Sequence, residues 1–145
     1  MADRWTLWED ARFAVTTTAN PHLPPEEGCH ILVAPKSPPP HAWADPALTG
    51  ATFELAARVC QVMERIGIAP WFNLQANGNW GLLPGSTPYL HVHIYARLPD
   101  GKTWTQPVDL PKAPGEFGFS PLDETDRVRL SMALAEALSA AIPSS

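Results

Sequence analysis

The sequence predicts an α+β domain, with a largely antiparallel sheet of about five strands and two covering helices. Two observations carry this. Short runs rich in β-branched or apolar residues are punctuated by proline and glycine, and two longer stretches place apolar residues at helical spacing. Their order is strand, strand, helix, strand, strand, helix, which suits a sheet with helices laid against it.

Each element has its own signal. RFAVTTT (12–18) reads as a strand because valine and threonine fit a pleated surface, and ANPHLPP closes it with turn residues. CHILVAP (29–35) is mostly apolar, as a central strand is, and ends in proline. Asp45 and Pro46 supply a helix N-cap and a first-turn proline. Leu48, Thr52, Leu55, Val59, Val62 and Ile66 follow at helical spacing, with Gly67 as the stop. WFNLQAN (71–77) is a third strand, and NGNWGLLPGSTP (77–88) is a glycine-bearing loop. YLHVHIYARL (89–98) is a fourth strand, turned by LPDG, and KTWTQPV (102–108) is one more short strand. Ser120-Pro121 opens a last helix with Leu122, Val128, Leu130, Leu134 and Leu138 on or near one face, running to Ile142. A single domain, 1–145, holds all of these, with 99–120 as a proline-rich connection and 120–142 as the C-terminal helix.

Composition narrows the function classes. The chain has 145 residues, 45% of them apolar and 17% charged, enough to bury a core without staples. Its 17 prolines cluster in LPPEE, PKSPPPH, LPDG and QPVDLPKAPG, as rigid turns do. A net charge of −5 argues against nucleic-acid binding, which wants a basic stripe, but leaves room for a small anionic ligand. Cys29 and Cys60 suit neither a disulfide framework nor a zinc site, and both are expected reduced and packed. MADRWTLWED lacks the apolar region of a signal peptide, and no run reaches a membrane span of roughly 20 apolar residues. The expected location is the cytoplasm, with no membrane partner.

The chemistry centres on PYLHVHIYAR (88–97). With a period of two, Leu90, Val92 and Ile94 face the core while Tyr89, His91, His93 and Tyr95 share the other face. Neighbours on that face stand about 7 Å apart at Cα, within reach of one phosphate-sized group. An unperturbed imidazole pKa near 6.5 lets one ring stay neutral and attack while another binds or donates. Three readings follow from the residues: a catalytic pair, an ordinary exposed sheet face, or a metal clamp. The last rests on Gly85, five residues, then His91-Val92-His93, the start of a cupin motif. Arg97 and Leu98 stand where that motif needs a glutamate.

Three stretches in order give the chain a resemblance to the histidine triad (HIT) superfamily, strongest over residues 12–98. They are NPHLPPEEGCHILVAPKSPPPH, FNLQANGNWG and YLHVHIYAR, the last similar to the family's His-φ-His-φ-His-φ-φ signature followed by an arginine. Only two of the three histidines are present. Placing His93 at the third position brings Arg97 into register and puts Tyr89 at the first.

The resemblance implies that His91 is the nucleophile, nucleotidylated at the α-phosphate, and that His93 contacts that phosphate and helps the leaving group depart. Tyr89 then belongs to the supporting hydrogen-bond network. It also implies nucleotide contacts from Asn20, Asn77 (or Asn79), Ser86, Thr87 and Arg97, with His30 behind the triad residues. His41 and Lys36 are left to the surface. No metal or cofactor is implied. The implied activity is a nucleotide hydrolase or transferase acting on a dinucleoside polyphosphate or nucleoside phosphoramidate, the former favoured by the asparagine-led turn and closing arginine. The implied assembly is a homodimer through sheet edges and the first helix. The alternatives are a nucleotide-binding module that has lost turnover with its first histidine and, less favoured, a cupin-like metal protein.

Overall fold

The computed structural model describes residues 3–140. Five strands, β1 (Arg4–Glu9), β2 (Phe13–Thr18), β3 (Gly28–Pro35), β4 (Trp71–Gln75) and β5 (Val92–Arg97), form one open antiparallel sheet in the order β1-β2-β3-β5-β4. Helices α1 (Pro46–Arg65) and α2 (Glu124–Ala140) pack on one face. There Val15, Ile31, Val33, Val92 and Ile94 of the sheet meet Val59, Val62 and Met63 of α1 and Leu130, Leu134 and Leu138 of α2. Segregating the helices to one face leaves the other free to carry a site. No described helix is long and apolar enough to cross a membrane.

Helix α1 forms as its sequence signals indicate. The Asp45 side chain accepts from the Leu48 N–H, Pro46 lies in the first turn, and Gly67 takes a positive φ of 80° after the helix. Cys29 and Cys60 are free thiols, both pushed up to about 12 by burial. Gly28 opens β3 at φ 147°, and a Cβ there would lie 1.6 Å from the Ala96 carbonyl oxygen. Only glycine lets β3 and β5 close at this point.

The strand expected over 102–108 is instead a series of turns. The Trp104 N–H donates to Gly101, and the Gln106 N–H donates to Thr103. Two side chains capture this backbone. The Glu27 carboxylate accepts from the N–H groups of Lys102 and Thr103, and the Arg97 guanidinium donates to the carbonyls of Thr103 and Gln106. The fifth strand is β1, a partner of β2 with a bulge between Thr6 and Trp8.

Three boundaries also differ from the expectations. β5 begins at Val92 and not at 89, because the Leu90 N–H turns to the Pro39 carbonyl, 2.8 Å away. β4 ends at Gln75, where the Asn77 amide turns back to bond the Gln75 side chain. Helix α2 begins at Glu124, not at 120, with the Asp123 carboxylate accepting from the Asp126 N–H at 2.8 Å. Its buried stripe is Leu130, Leu134 and Leu138, while Val128 is 51% exposed. The expected end of that helix at Ile142 lies outside the described residues.

Candidate active site

The sheet register assembles the site. His30 pairs with Tyr95 and Leu32 with His93, so His30 and His93 are diagonal neighbours on the face opposite the helices. Their ring nitrogens, His30 Nε2 and His93 Nδ1, are 2.8 Å apart. The His91 ring lies 4.6 Å from that of His93, centroid to centroid, and Tyr89 stacks on His91 at 4.3 Å. These rings line a cavity of about 1010 Å³. Trp80 and Phe117 form its aromatic wall, and Pro111 and Pro114 bring the proline-rich connection over it.

Hydrogen bonds set which nitrogen of each ring carries the proton. His91 Nδ1 lies 2.9 Å from the Tyr89 carbonyl, which only accepts, so Nδ1 carries the hydrogen and Nε2 keeps a lone pair. His30 Nδ1 receives the His22 backbone N–H at 3.4 Å, a long bond whose donor is certain. His30 therefore donates from Nε2 to His93 Nδ1, and His93 retains its hydrogen on Nε2. The two neighbouring rings thus present opposite faces of imidazole chemistry: a lone pair on His91 and an N–H on His93.

Burial keeps these rings neutral. It lowers His93 to about 3 and His22 to about 4, with His91 next in effect in both cases. His30 is pushed well down by burial and then by His22 and His93. His91 is lowered by burial, partly opposed by its bond to the Tyr89 carbonyl. The Tyr95 phenol is raised by burial and stays protonated.

The remaining expected residues divide. Asn77, Asn79 and Thr87 line the cavity. Asn20 lines it too, but its amide clasps the connection, donating to the Gly115 carbonyl at 2.7 Å and accepting the Phe117 N–H at 3.0 Å. Ser86 is exposed in a turn, its N–H bonded to Leu83, and is not among the residues lining the cavity. Arg97 needs the clearest correction. It is 1% exposed, absent from the cavity lining, and bonds Asn73, Thr103 and Gln106, so it fastens the turn beyond β5. His41 stacks on Trp43, and Lys36 pairs with Glu9.

Two of the cavity residues that escape a sequence reading bear on the chemistry. Arg4, on β1, brings a guanidinium to the rim and bonds the Tyr89 hydroxyl at 3.3 Å. His22, from the β2–β3 loop, lies 4.2 Å from the His30 ring and 5.4 Å from that of His93. The one available signal for His22 was a second histidine just ahead of Gly-Cys-His. Arg4 had none, because nothing marked its strand.

His22, His30 and His93 bring ligand atoms within 4.8 Å of one another, close enough to raise a metal. The donor chemistry opposes it. The lone pairs of His30 and His93 already receive N–H groups, and His30 cannot change tautomer without turning an N–H toward the His22 amide. The cupin alternative also fails on architecture, since that motif belongs to a two-sheet jelly roll and this sheet is single and open.

Solved structures match over nearly the whole chain. A histidine triad protein from Bradyrhizobium japonicum superposes with a TM-score of 0.65 at 22% identity, covering 93% of this chain and 90% of that one. The fold is that of the histidine triad proteins. A hypothetical histidine triad nucleotide-binding protein from Sulfolobus tokodaii matches with a TM-score of 0.60 at 18% identity, over 95% of this chain and 85% of that one. A zinc-bound histidine triad family protein from Mycobacterium smegmatis matches with a TM-score of 0.59 at 20% identity, over 93% and 86%. No protein-family model matches the chain, and no curated protein does.

Proposed function

We propose that this chain is a histidine triad nucleotide hydrolase or transferase that cleaves at an α-phosphate through a nucleotidyl-His91 intermediate. The observation that carries the reading is the pair of opposite tautomers, a nucleophilic Nε2 on His91 beside a donor Nε2–H on His93, at one cavity.

The reaction follows from those groups. His91 Nε2 attacks phosphorus, forming an N–P bond, and the leaving group departs with the electrons of the broken bond. The positive charge that develops on His91 is stabilised through Nδ1–H by the Tyr89 carbonyl. His93 donates to a non-bridging oxygen, where charge must be held. A neutral imidazole is a poor acid, so His93 serves as a hydrogen-bond donor, and the leaving group must be stable as it departs. A nucleotide anion meets that condition, as does an amine whose nitrogen takes a proton from solvent before the P–N bond breaks and which then leaves neutral. Water then attacks phosphorus, the N–P bond breaks, its electrons return to His91, and the water proton leaves to solvent.

Among the described residues lining the cavity, Arg4 is the one lysine or arginine, with Asp3 beside it. That balance suits one phosphate at the rings better than a long polyphosphate, and favours a nucleoside phosphoramidate over a dinucleoside polyphosphate. The apolar wall of Trp80 and Phe117 suits the base. The free edge of β4, where Trp71 is 61% exposed, supports a homodimer through the sheet edge.

Adenosine phosphoramidate and diadenosine tetraphosphate, each incubated with wild type and with His91→Ala, test the proposal. Product from wild type alone supports it. Tight nucleotide binding without product from either protein supports instead a binding module that lost turnover with the histidine at position 89. Equal turnover by both removes His91 as nucleophile.

A further inference from the structure

We infer that His22 is a third phosphate-contacting imidazole of this site, donating a hydrogen bond from Nε2 to the phosphate held at His91 and His93; this rests on the function proposed above. The residue lies in the stretch NPHLPPEEGCHILVAPKSPPPH, where the resemblance assigns it no role. It arrives from the β2–β3 loop, half-buried, and lines the same cavity. Its ring packs between His30 and the aromatic wall, with centroids 4.2 Å from His30, 5.4 Å from His93 and Trp80, and 5.5 Å from Phe117.

Tyr95 determines what His22 offers. The Tyr95 side chain is fully buried, and among the described residues the hydrogen-bond partner of its hydroxyl is His22 Nδ1, at 2.8 Å. A buried O–H left without an acceptor is costly, so the phenol must donate and His22 Nδ1 must accept. A neutral His22 then keeps its hydrogen on Nε2, which has no protein partner among the described residues. His91 therefore faces the ligand with a lone pair, while His93 and His22 face it with N–H groups. Two neutral donors and Arg4 share the charge on the non-bridging oxygens of a phosphoryl group in transfer. Tyr95 is the positioning residue that holds His22 in the donor tautomer.

A double-mutant cycle tests this, reading the single-turnover rate of His91 adenylylation by adenosine phosphoramidate beside thermal stability. His22→Phe keeps the ring and removes the donor, and should slow adenylylation about tenfold, the order of one hydrogen bond. It also orphans the Tyr95 hydroxyl and lowers stability. Adding Tyr95→Phe removes that orphan, so the double variant recovers stability while its rate stays low. Tyr95→Phe alone should slow the reaction several-fold, with no further loss on top of His22→Phe. His22→Gln, which keeps an acceptor for Tyr95 and a donor for the ligand, should remain within about threefold of wild type by the same one-bond measure.

An unchanged rate in His22→Phe, or a double variant that regains rate with stability, overturns the inference. So does stoichiometric zinc on the wild type that is lost with His22→Phe. Turnover retained by His91→Ala overturns the nucleophile assignment instead. If wild type binds without turnover, AMP affinity is read on the same variants, and His22→Phe should weaken it about tenfold. Unchanged AMP affinity overturns the inference.

Discussion

His30 Nε2 lies 2.8 Å from His93 Nδ1, and that one hydrogen bond decides what His93 shows to a ligand. The information starts at a backbone N–H of the β2–β3 loop, passes through the His30 ring and emerges as the Nε2–H of His93. The proposed chemistry rests on this relay of tautomers, with no charged histidine required at neutral pH.

Breaking the relay should damage both folding and chemistry. His30→Ala removes a ring that is 2% exposed and leaves His93 Nδ1 without its donor. The expected loss is about 3 kcal/mol of stability, read by urea unfolding, with turnover down at least tenfold in the protein that still folds. Wild-type turnover in this variant would contradict the relay.

The pH dependence has a definite sign. Burial lowers His93 to about 3 in the folded protein, while in the unfolded chain it titrates near 6.5. Between these values the unfolded state binds more protons, so stability rises with pH across that window. The contribution is fully present above pH 6.5 and is lost progressively as pH falls toward 3. Replacing His93 with Asn should flatten the acid side of the stability curve. Burial also lowers His91, so the acid limb of kcat/KM, which reports loss of the neutral nucleophile, should have its midpoint below 6.5.

Arg4 is exposed at the rim and bonds only the Tyr89 hydroxyl among the described residues. Arg4→Ala should raise KM for a nucleotide substrate by roughly tenfold with little change in kcat, and stability should stay within about 0.5 kcal/mol. A steeper salt dependence of KM in wild type than in the variant would accompany this.

Arg97 should behave in the opposite way. Its loss orphans the Asn73 side chain and two carbonyls of the turn, so Arg97→Leu should cost about 3 kcal/mol or more. Nucleotide affinity of the folded fraction should be unchanged, as calorimetry at low temperature would show.

Local periodicity made much of this readable. The period of two through 89–95 placed His91 and His93 on one side, and the cap at Asp45 with the stop at Gly67 framed the first helix. What could not be read depended on distant partners. The run at 102–108 has strand-like residues, yet Glu27, 75 positions earlier, takes its amides and Arg97 takes its carbonyls. Arg97 looked like a phosphate ligand because its spacing fitted a motif, and spacing says nothing of the turn that buries it. Arg4 became visible only once β1 paired with β2, and His22 only once its loop folded over His30.

The nucleotidyl-His91 intermediate can be trapped by quenching a reaction of wild-type protein with adenosine phosphoramidate in its first turnover and mapping the product by mass spectrometry. An acid-labile adenylyl group is expected on the peptide containing His91 and absent in His91→Ala. Substrate consumed with no modified peptide, or with the group on His93, would contradict that intermediate.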